Sequence, residues 1–196
     1  ALACLRAVFP CKLKLELQTK AMKALTVILL AAVSVTTADD LKLIPGDSII
    51  EYDTVTYALH VPKPAGEPHG PFAVTVFFGG YGDSIEYYQK ALASLCDDLD
   101  MIAVIPQMPW FAQPGKASAA AVMGSLEGLR KELATKFGAD TNLTVIGGAS
   151  AGGGSACQLT RRWGKSVPLL VLHSANRCSA IGNTRSVLLV GENEAN

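Results

Sequence analysis

The stretch 144–154, TVIGGASAGGG, reads as a buried strand that runs into a glycine turn and then into a helix. Within it, Gly148-Ala149-Ser150-Ala151-Gly152 fits the pattern Gly-x-Ser-x-Gly, which places a serine on a strained strand-to-helix turn with its hydroxyl above the sheet. So tight a turn brings positions 148 and 152 close together, and side chains there would clash. A helix packed against a strand through small residues is the alternative. We interpret Ser150 as the residue around which the chain is organised.

Strand-like and helix-like segments alternate along the rest of the chain. The predicted strands are 49–52, 54–61, 73–78, 101–105, 143–146, 168–173 and 186–190. A first helix is predicted with Asp83 as its N-cap and Glu86 at capping-box spacing. A second helix ends at Gly138, and a third, 151–163, stops at Gly164. The alternation predicts an α/β fold with a mostly parallel sheet, helices on both faces and functional loops at the carboxyl ends of the strands.

The first 38 residues are predicted to lie outside the folded domain. Met22 and Lys23 precede an apolar run and a small-residue end at Ala38, which is the order of a cleaved secretory signal. The apolar run is too short to span a bilayer. We interpret residues 1–21 as translated upstream sequence or, alternatively, as a basic targeting presequence. The expected organisation is therefore an upstream segment 1–21, a signal peptide 22–38 and one domain, 39–196, of an exported protein.

The charge balance argues against nucleic-acid binding. Five of the 17 basic and one of the 17 acidic residues precede position 39, so the remaining chain has a formal net charge of −4 and no basic cluster. Three cysteines remain there, Cys96, Cys157 and Cys178, and an oxidising compartment allows one pair to close with one thiol left over. Asn142-Leu143-Thr144 is an N-glycosylation sequon, which makes Asn142 a candidate glycosylation site.

Four loops at the carboxyl ends of predicted strands are expected to face one cleft. They are 79–82, 107–113, the turn at Ser150 and 191–194. The first loop is expected to supply a backbone N–H, from Gly80 or Tyr81, that pairs with the N–H of Ala151 as an oxyanion hole. An ordinary tight turn is the alternative for this loop.

The second and fourth loops carry further candidates. Glu194, or less favourably Glu192, follows the last predicted strand and is expected to orient a catalytic histidine, a solvated carboxylate being the alternative. Trp110 and Phe111 belong to an apolar loop that either lines an acyl or aryl substrate pocket or anchors itself in the core.

Together these motifs resemble the α/β-hydrolase superfamily, and within it the secreted esterases of the polyhydroxybutyrate depolymerase and feruloyl esterase type. The resemblance covers residues 49–196 and is carried by YALHVP at 57–62, the glycine loop 79–82, the turn 148–152, LHS at 172–174 and GENE at 191–194. It implies that Ser150 is the nucleophile and Glu194 the acid of a catalytic triad. It further implies that a small-molecule or polymer ester is cleaved through an acyl-enzyme, without a metal or cofactor.

Two departures from the superfamily pattern shape our expectations. Phe78 or Gly79 stands where a histidine commonly opens the oxyanion loop, and no histidine follows Glu194, although the chain order in this fold is serine, acid, histidine. We therefore expect the sequence to be C-terminally truncated, and the 196-residue chain to aggregate and to show almost no esterase activity. His173, at the end of a predicted strand, is the alternative base.

Two other functions fit parts of the sequence. Residues 145–152 also resemble a degenerate dinucleotide-binding turn, but that fold needs an acidic residue about 20 positions further on. None lies between Asp140 and Glu192. The other alternative is an α/β-hydrolase fold kept as a non-catalytic binding module. Reaction with a fluorophosphonate discriminates between them, because only an activated serine reacts.

Overall fold

A seven-stranded sheet organises the chain, with the strand order β1-β2-β4-β3-β5-β6-β7. The computed structural model describes residues 44–63, 71–175, 178 and 184–189. The strands are β1 (Gly46–Tyr52), β2 (Val55–Val61), β3 (Ala73–Phe78), β4 (Met101–Pro106), β5 (Thr144–Ala149), β6 (Leu169–His173) and β7 (Arg185–Leu189). The helices are α1 (Ile85–Asp98), α2 (Ala119–Phe137) and α3 (Gly152–Trp163), and a short 3-10 turn, Gly164–Ser166, follows α3. The predicted alternation of strands and helices is confirmed.

The sheet is parallel apart from its first two strands. β1 and β2 form an antiparallel hairpin, and β2 pairs antiparallel with β4. β3 lies between β4 and β5, and the remaining pairs, through β6 to β7, are parallel. All six residues of β4 are buried, as is typical of a strand covered on both faces. The carboxyl ends of β3 to β7 therefore meet at one edge of the sheet, where Ser150 follows β5.

Helices pack on both faces of the sheet. The ring of Phe77 in β3 lies 4.8 Å from that of Tyr88 in α1. The neighbouring residue, Val76, lines a small cavity together with Leu129 of α2 and Trp163 of α3. Since successive strand residues point to opposite faces, α1 covers one face, and α2 and α3 cover the other.

Glycines end α2 and α3 where the sequence pattern predicts. Gly138 follows α2 with a φ of 66°, and its N–H donates to the carbonyl of Ala134. Gly164 follows α3 with a φ of 52°. Left-handed backbone at these two positions suits a residue without a Cβ, so the helices stop there.

The predicted start of α1 is wrong by one residue. Ser84, not Asp83, is the N-cap, and its Oγ accepts the N–H of Tyr87 at 3.2 Å. Asp83 directs its carboxylate to the N–H of Gly80 at 2.9 Å. The spacing from Asp83 to Glu86 therefore does not form a capping box, because the serine beside it takes the cap.

The turn of the β1–β2 hairpin is one residue longer than predicted, so β2 begins at Val55 and not at Thr54. Asp53 and Thr54 occupy the turn with φ values of 48° and 64°, and Tyr52 pairs with Val55. A two-residue turn with both central residues at positive φ matches the twist of the flanking strands. Thr54 thus lies in the turn, because the register of the hairpin overrides the β-propensity of a threonine.

A buried histidine links the hairpin to α1. His60 is 3% exposed; its Nδ1 lies 2.7 Å from a carboxylate oxygen of Asp47, and its Nε2 lies 3.1 Å from one of Asp97. Asp97 also accepts the N–H of Lys63 at 3.0 Å. That backbone bond, followed by the bond to His60, holds the pKa of Asp97 below its usual value. Both ring nitrogens of His60 are engaged, so this histidine serves the packing of β1, β2 and α1.

Several predicted features lie outside the described residues. They are the segments 1–21 and 22–38, and the two acidic candidates Glu192 and Glu194. Of the helices that are described, none has the length and apolar character needed to cross a membrane.

Candidate active site

Ser150 stands in a strained turn, residues 148–152, which we call the elbow. Its φ of 45° is a conformation that residues with a side chain seldom adopt. Its N–H donates to the carbonyl of His173 at 3.0 Å, and its carbonyl accepts the N–H of Gly153 at 3.1 Å. These bonds fasten the strained residue between the end of β6 and the first turn of α3. Ser150 is exposed while the preceding residues, 146–149, are buried, so its side chain is accessible at the edge of the sheet.

Gly148 and Gly152 leave no room for side chains. A Cβ at Gly148 would lie 2.8 Å from the carbonyl oxygen of Gly152 and 2.8 Å from the Cβ of Ala156. A Cβ at Gly152 would press on backbone atoms of Phe78 and lie 2.6 Å from the carbonyl oxygen of Gly79. The predicted clash is confirmed for position 148, where a side chain would meet Gly152; a side chain at 152 would instead meet the end of β3.

Residues 79–83, which we call the oxyanion loop after the role predicted for it, run beside the elbow. A Cβ at Gly80 would lie 3.4 Å from the Cβ of Ser150. The N–H of Gly80 donates to Asp83 Oδ2 at 2.9 Å, and the Tyr88 hydroxyl lies 3.3 Å from the same nitrogen. One of the two predicted donors of this loop is therefore already engaged within the protein.

Two other N–H groups at this edge have no acceptor among the described residues. They belong to Tyr81, a residue that is 81% exposed, and to Ala151, which precedes α3. The N-terminus of α3 adds partial positive charge at Ala151. Because an oxyanion hole needs donors that are not already bound, this geometry favours Tyr81 over Gly80 as the partner of Ala151.

The loop after β4 braces the oxyanion loop. Trp110 Nε1 donates to the carbonyl of Gly79 at 3.1 Å, and the Trp110 carbonyl accepts the N–H of Gly82 at 3.1 Å. Phe111 is 4% exposed, and its ring fills the space that a side chain at Gly79 would need. Of the two roles considered for Trp110 and Phe111, substrate pocket or anchor, these contacts favour the anchor.

The segment after β6 packs against α3 next to the elbow. The Cβ of Ala175 fills the space beside Gly153, and Cys178 forms a disulfide with Cys157 of α3 across a Cα–Cα distance of 5.7 Å. One pair is thus closed and Cys96 is left as a thiol, as the cysteine count predicts. Burial raises the pKa of the Cys96 thiol to about 12, so this thiol stays protonated and unreactive.

His173 lies beside the elbow. It pairs with Ala149 in the register of β5 and β6, and its side chain is exposed. The other described histidine, His60, is buried between two carboxylates on β1 and α1. Of these two histidines, only His173 is placed where it can approach Ser150.

Three other site predictions have different outcomes. Glu194 and the alternative Glu192 lie outside the described residues. Asn142 is exposed just before β5, which leaves the sequon accessible. In the described part of the chain, no group of three or more His, Cys, Asp and Glu side chains is arranged to hold a metal ion.

Sequence reasoning missed the contact between Asp83 and Tyr88. The Tyr88 hydroxyl donates to Asp83 Oδ2 at 2.6 Å, so the oxyanion loop is bonded to the first turn of α1. The capping-box spacing to Glu86 favoured a different role for Asp83, and a bond between a loop residue and a helical residue five positions later has no sequence signature.

Similarity to known proteins is found at the level of structure. No family model and no curated protein matches the sequence. The Francisella virulence factor BioJ is 16% identical with a TM-score of 0.54, over 84% of this chain and 50% of BioJ. LpqC, the poly(3-hydroxybutyrate) depolymerase of Bordetella parapertussis, is 14% identical with a TM-score of 0.52, over 66% of this chain and 52% of LpqC. FphF, a fluorophosphonate-binding serine hydrolase of Staphylococcus aureus, is 11% identical with a TM-score of 0.50, over 67% of this chain and 58% of FphF.

These likenesses concern the fold. The chain has an α/β-hydrolase fold, in which a mostly parallel sheet carries the elbow after β5. It spans about half the length of the solved structures that it matches.

Proposed function

We propose that the whole protein is a secreted serine hydrolase that cleaves carboxylic esters of small molecules or polymers through an acyl-enzyme on Ser150. The observation that carries the proposal is the elbow, where an exposed serine with a φ of 45° precedes a helix at the sheet edge. Two backbone N–H groups beside it, of Tyr81 and Ala151, have no described acceptor. Two proteins of the same fold, named as a poly(3-hydroxybutyrate) depolymerase and a fluorophosphonate-binding serine hydrolase, lend support to this chemistry.

The proposed reaction assigns a task to each group. Ser150 Oγ attacks the carbonyl carbon of the ester while a histidine accepts its proton. The carbonyl oxygen becomes an oxyanion, which the N–H groups of Tyr81 and Ala151 stabilise. The C–O bond to the alcohol breaks, and the alcohol leaves with the proton from the histidine. Water then cleaves the acyl-enzyme by the same steps and restores the serine.

The rest of the triad is proposed from position and chain order. Glu194 follows β7, whose carboxyl end lies at the same sheet edge as the elbow, and we propose it as the acid. His173 is adjacent to the elbow, yet in this fold the catalytic histidine comes after the acid in the chain. We therefore propose Ser150 and Glu194 as triad members and do not assign the base to His173.

Covalent labelling tests this proposal directly. We expect a fluorophosphonate to label the whole protein, called full-length below, stoichiometrically, because only a serine activated by a base reacts. Peptide mapping should place the label on Ser150. Ser118→Ala is the matched control, since Ser118 is exposed and its Oγ accepts the N–H of Ala121 as the N-cap of α2. Label that persists in Ser150→Ala, or a native protein that takes up none, would contradict an activated Ser150 and leave a non-catalytic binding protein as the better account.

Export is proposed from the signal-like residues 22–38. We expect the mature protein to begin at Asp39, because the small residues up to Ala38 form a cleavage site. N-terminal sequencing of the protein recovered from the medium measures this. Recovery from the cytosol with residues 22–38 still attached would rule export out.

A further inference from the structure

We propose that Asp83 and Tyr88 are positioning residues of the oxyanion loop: they hold the Gly80 amide towards α1, and this makes the Tyr81 N–H the donor that acts with Ala151. The inference rests on the proposed ester hydrolysis and deepens it, because it assigns the donors of the oxyanion hole. Neither Asp83 nor Tyr88 is assigned a contact with the reacting atoms.

One oxygen atom accepts both bonds. Asp83 Oδ2 takes the N–H of Gly80 at 2.9 Å and the hydroxyl of Tyr88 at 2.6 Å. The Gly80 nitrogen also lies 3.3 Å from the Tyr88 oxygen, so backbone, carboxylate and phenol form a closed triangle. Breaking any side of the triangle removes part of the restraint on the Gly80 amide.

Tyr88 is itself rigidly held. Its ring lies 4.8 Å from the ring of Phe77 in β3, and its edge occupies the space where a side chain at Gly79 would be. Burial, followed by the hydrogen bond to Asp83, raises the pKa of Tyr88, so the phenol stays protonated and remains a donor. The triangle is thereby tied to the centre of the sheet through β3.

The ends of the oxyanion loop are fixed independently. Trp110 bonds to Gly79 and to Gly82, and the carbonyl of Asp83 accepts the N–H of Ala112 at 3.1 Å. Because the carbonyl of Gly79 and the N–H of Gly82 are both bonded to Trp110, the remaining freedom is rotation of the peptide group between Gly80 and Tyr81. The side chains of Asp83 and Tyr88 restrain that rotation, and an oxyanion donor must be held in its productive direction before the reaction to be effective.

If Asp83 instead acted on the oxyanion through its negative charge, its variants would behave differently. A negative carboxylate near a developing oxyanion would slow the reaction, and neutralising it would then speed turnover. In the positioning role, the acceptor oxygen matters and the charge does not. Asparagine keeps one acceptor oxygen without the charge, whereas alanine removes both, so Asp83→Asn and Asp83→Ala separate the two roles.

The experiment compares four variants of the full-length protein on short-chain nitrophenyl esters. We expect Asp83→Ala and Tyr88→Phe to lower kcat by about 10- to 100-fold with KM nearly unchanged, because oxyanion donors act in the transition state and not in substrate binding. Asp83→Asn should restore kcat to within about threefold of the native protein, since it keeps the acceptor for both bonds. Tyr87→Phe is the matched control, because it removes the hydroxyl of an exposed neighbouring tyrosine, and it should leave kcat unchanged.

The outcomes separate this inference from the function on which it rests. A native protein that neither hydrolyses esters nor reacts with a fluorophosphonate would overturn both. Native turnover, combined with a Tyr88→Phe kcat equal to that of Tyr87→Phe, would overturn the positioning role alone. The positioning role would also be overturned if the kcat of Asp83→Asn fell as far as that of Asp83→Ala. A kcat above the native value in either Asp83 variant would overturn it as well. Tyr88→Phe deletes one oxygen atom, so it keeps the test valid should Asp83→Ala fail to fold.

Discussion

Ser150→Ala is expected to lower ester turnover by a factor on the order of 10⁴ to 10⁶, which corresponds to roughly 5 to 8 kcal/mol of transition-state stabilisation. The loss is large because the variant cannot form the acyl-enzyme, and water must attack the ester without a covalent intermediate. The oxyanion donors that we propose, Tyr81 and Ala151, would remain, so some turnover above the uncatalysed rate is expected. Initial rates on short-chain nitrophenyl esters, with full-length native and variant protein, measure the factor.

Two further variants make that result specific to Ser150. Ser118→Ala removes the N-cap bond to Ala121, which costs about 1 kcal/mol of stability but should not change turnover. His173→Ala is expected to keep most of the native rate, because its backbone carbonyl, which accepts the N–H of Ser150, is retained. Equal rates for Ser150→Ala and the native protein would refute the proposed hydrolase. A loss in His173→Ala as deep as that in Ser150→Ala would instead identify His173 as the base.

Gly152→Ala is expected to lower the free energy of unfolding by about 3 kcal/mol and to abolish labelling at Ser150. The added Cβ would meet the backbone of Phe78 and Gly79, and backbone at the end of a central strand cannot move aside as a flexible side chain can. Relief of the overlap must push β3 and the oxyanion loop away from the elbow. Urea unfolding monitored by circular dichroism measures the destabilisation as a lower midpoint concentration. The m value, which is the dependence of the free energy of unfolding on urea concentration, should be the same as in the native protein.

Gly154→Ala is the matched control, with the opposite sign. Gly154 belongs to the same first turn of α3, is exposed, and has nothing within 4 Å of the position of an added Cβ. Alanine there should raise the free energy of unfolding by up to about 1 kcal/mol, because glycine is a poor helix former. Equal stabilities for the two variants would show that the contact between Gly152 and β3 does not exist in solution.

The elbow shows how far local sequence could predict the site. The pattern from Gly148 to Gly152 predicts a serine on a strained turn, and the structure gives Ser150 a positive φ with no space for a Cβ at either glycine. Helix ends at Gly138 and Gly164 were predicted as well. These features depend on a few consecutive residues, whose steric requirements are the same in any surrounding structure.

Where two neighbouring residues are chemically equivalent, the sequence could not predict which of them takes a given role. Asp83 and Ser84 are both good helix caps, and either Gly80 or Tyr81 has an N–H that can serve the oxyanion hole. The structure assigns the cap to Ser84, because the carboxylate of Asp83 is drawn to Gly80 and to the hydroxyl of Tyr88. That preference arises only when α1 packs on β3 and brings these groups together.

The sequence by itself determined the α/β class, the strand and helix segments, and the position of the elbow, because periodicity and glycine placement are properties of neighbouring residues. Only the tertiary structure decided the strand order, the pairing of Cys157 with Cys178, and the bracing of the oxyanion loop by Trp110. Each of these joins segments far apart in the chain. Their partners are selected by shape and by unsatisfied hydrogen bonds once the sheet has formed, and no local pattern records that selection.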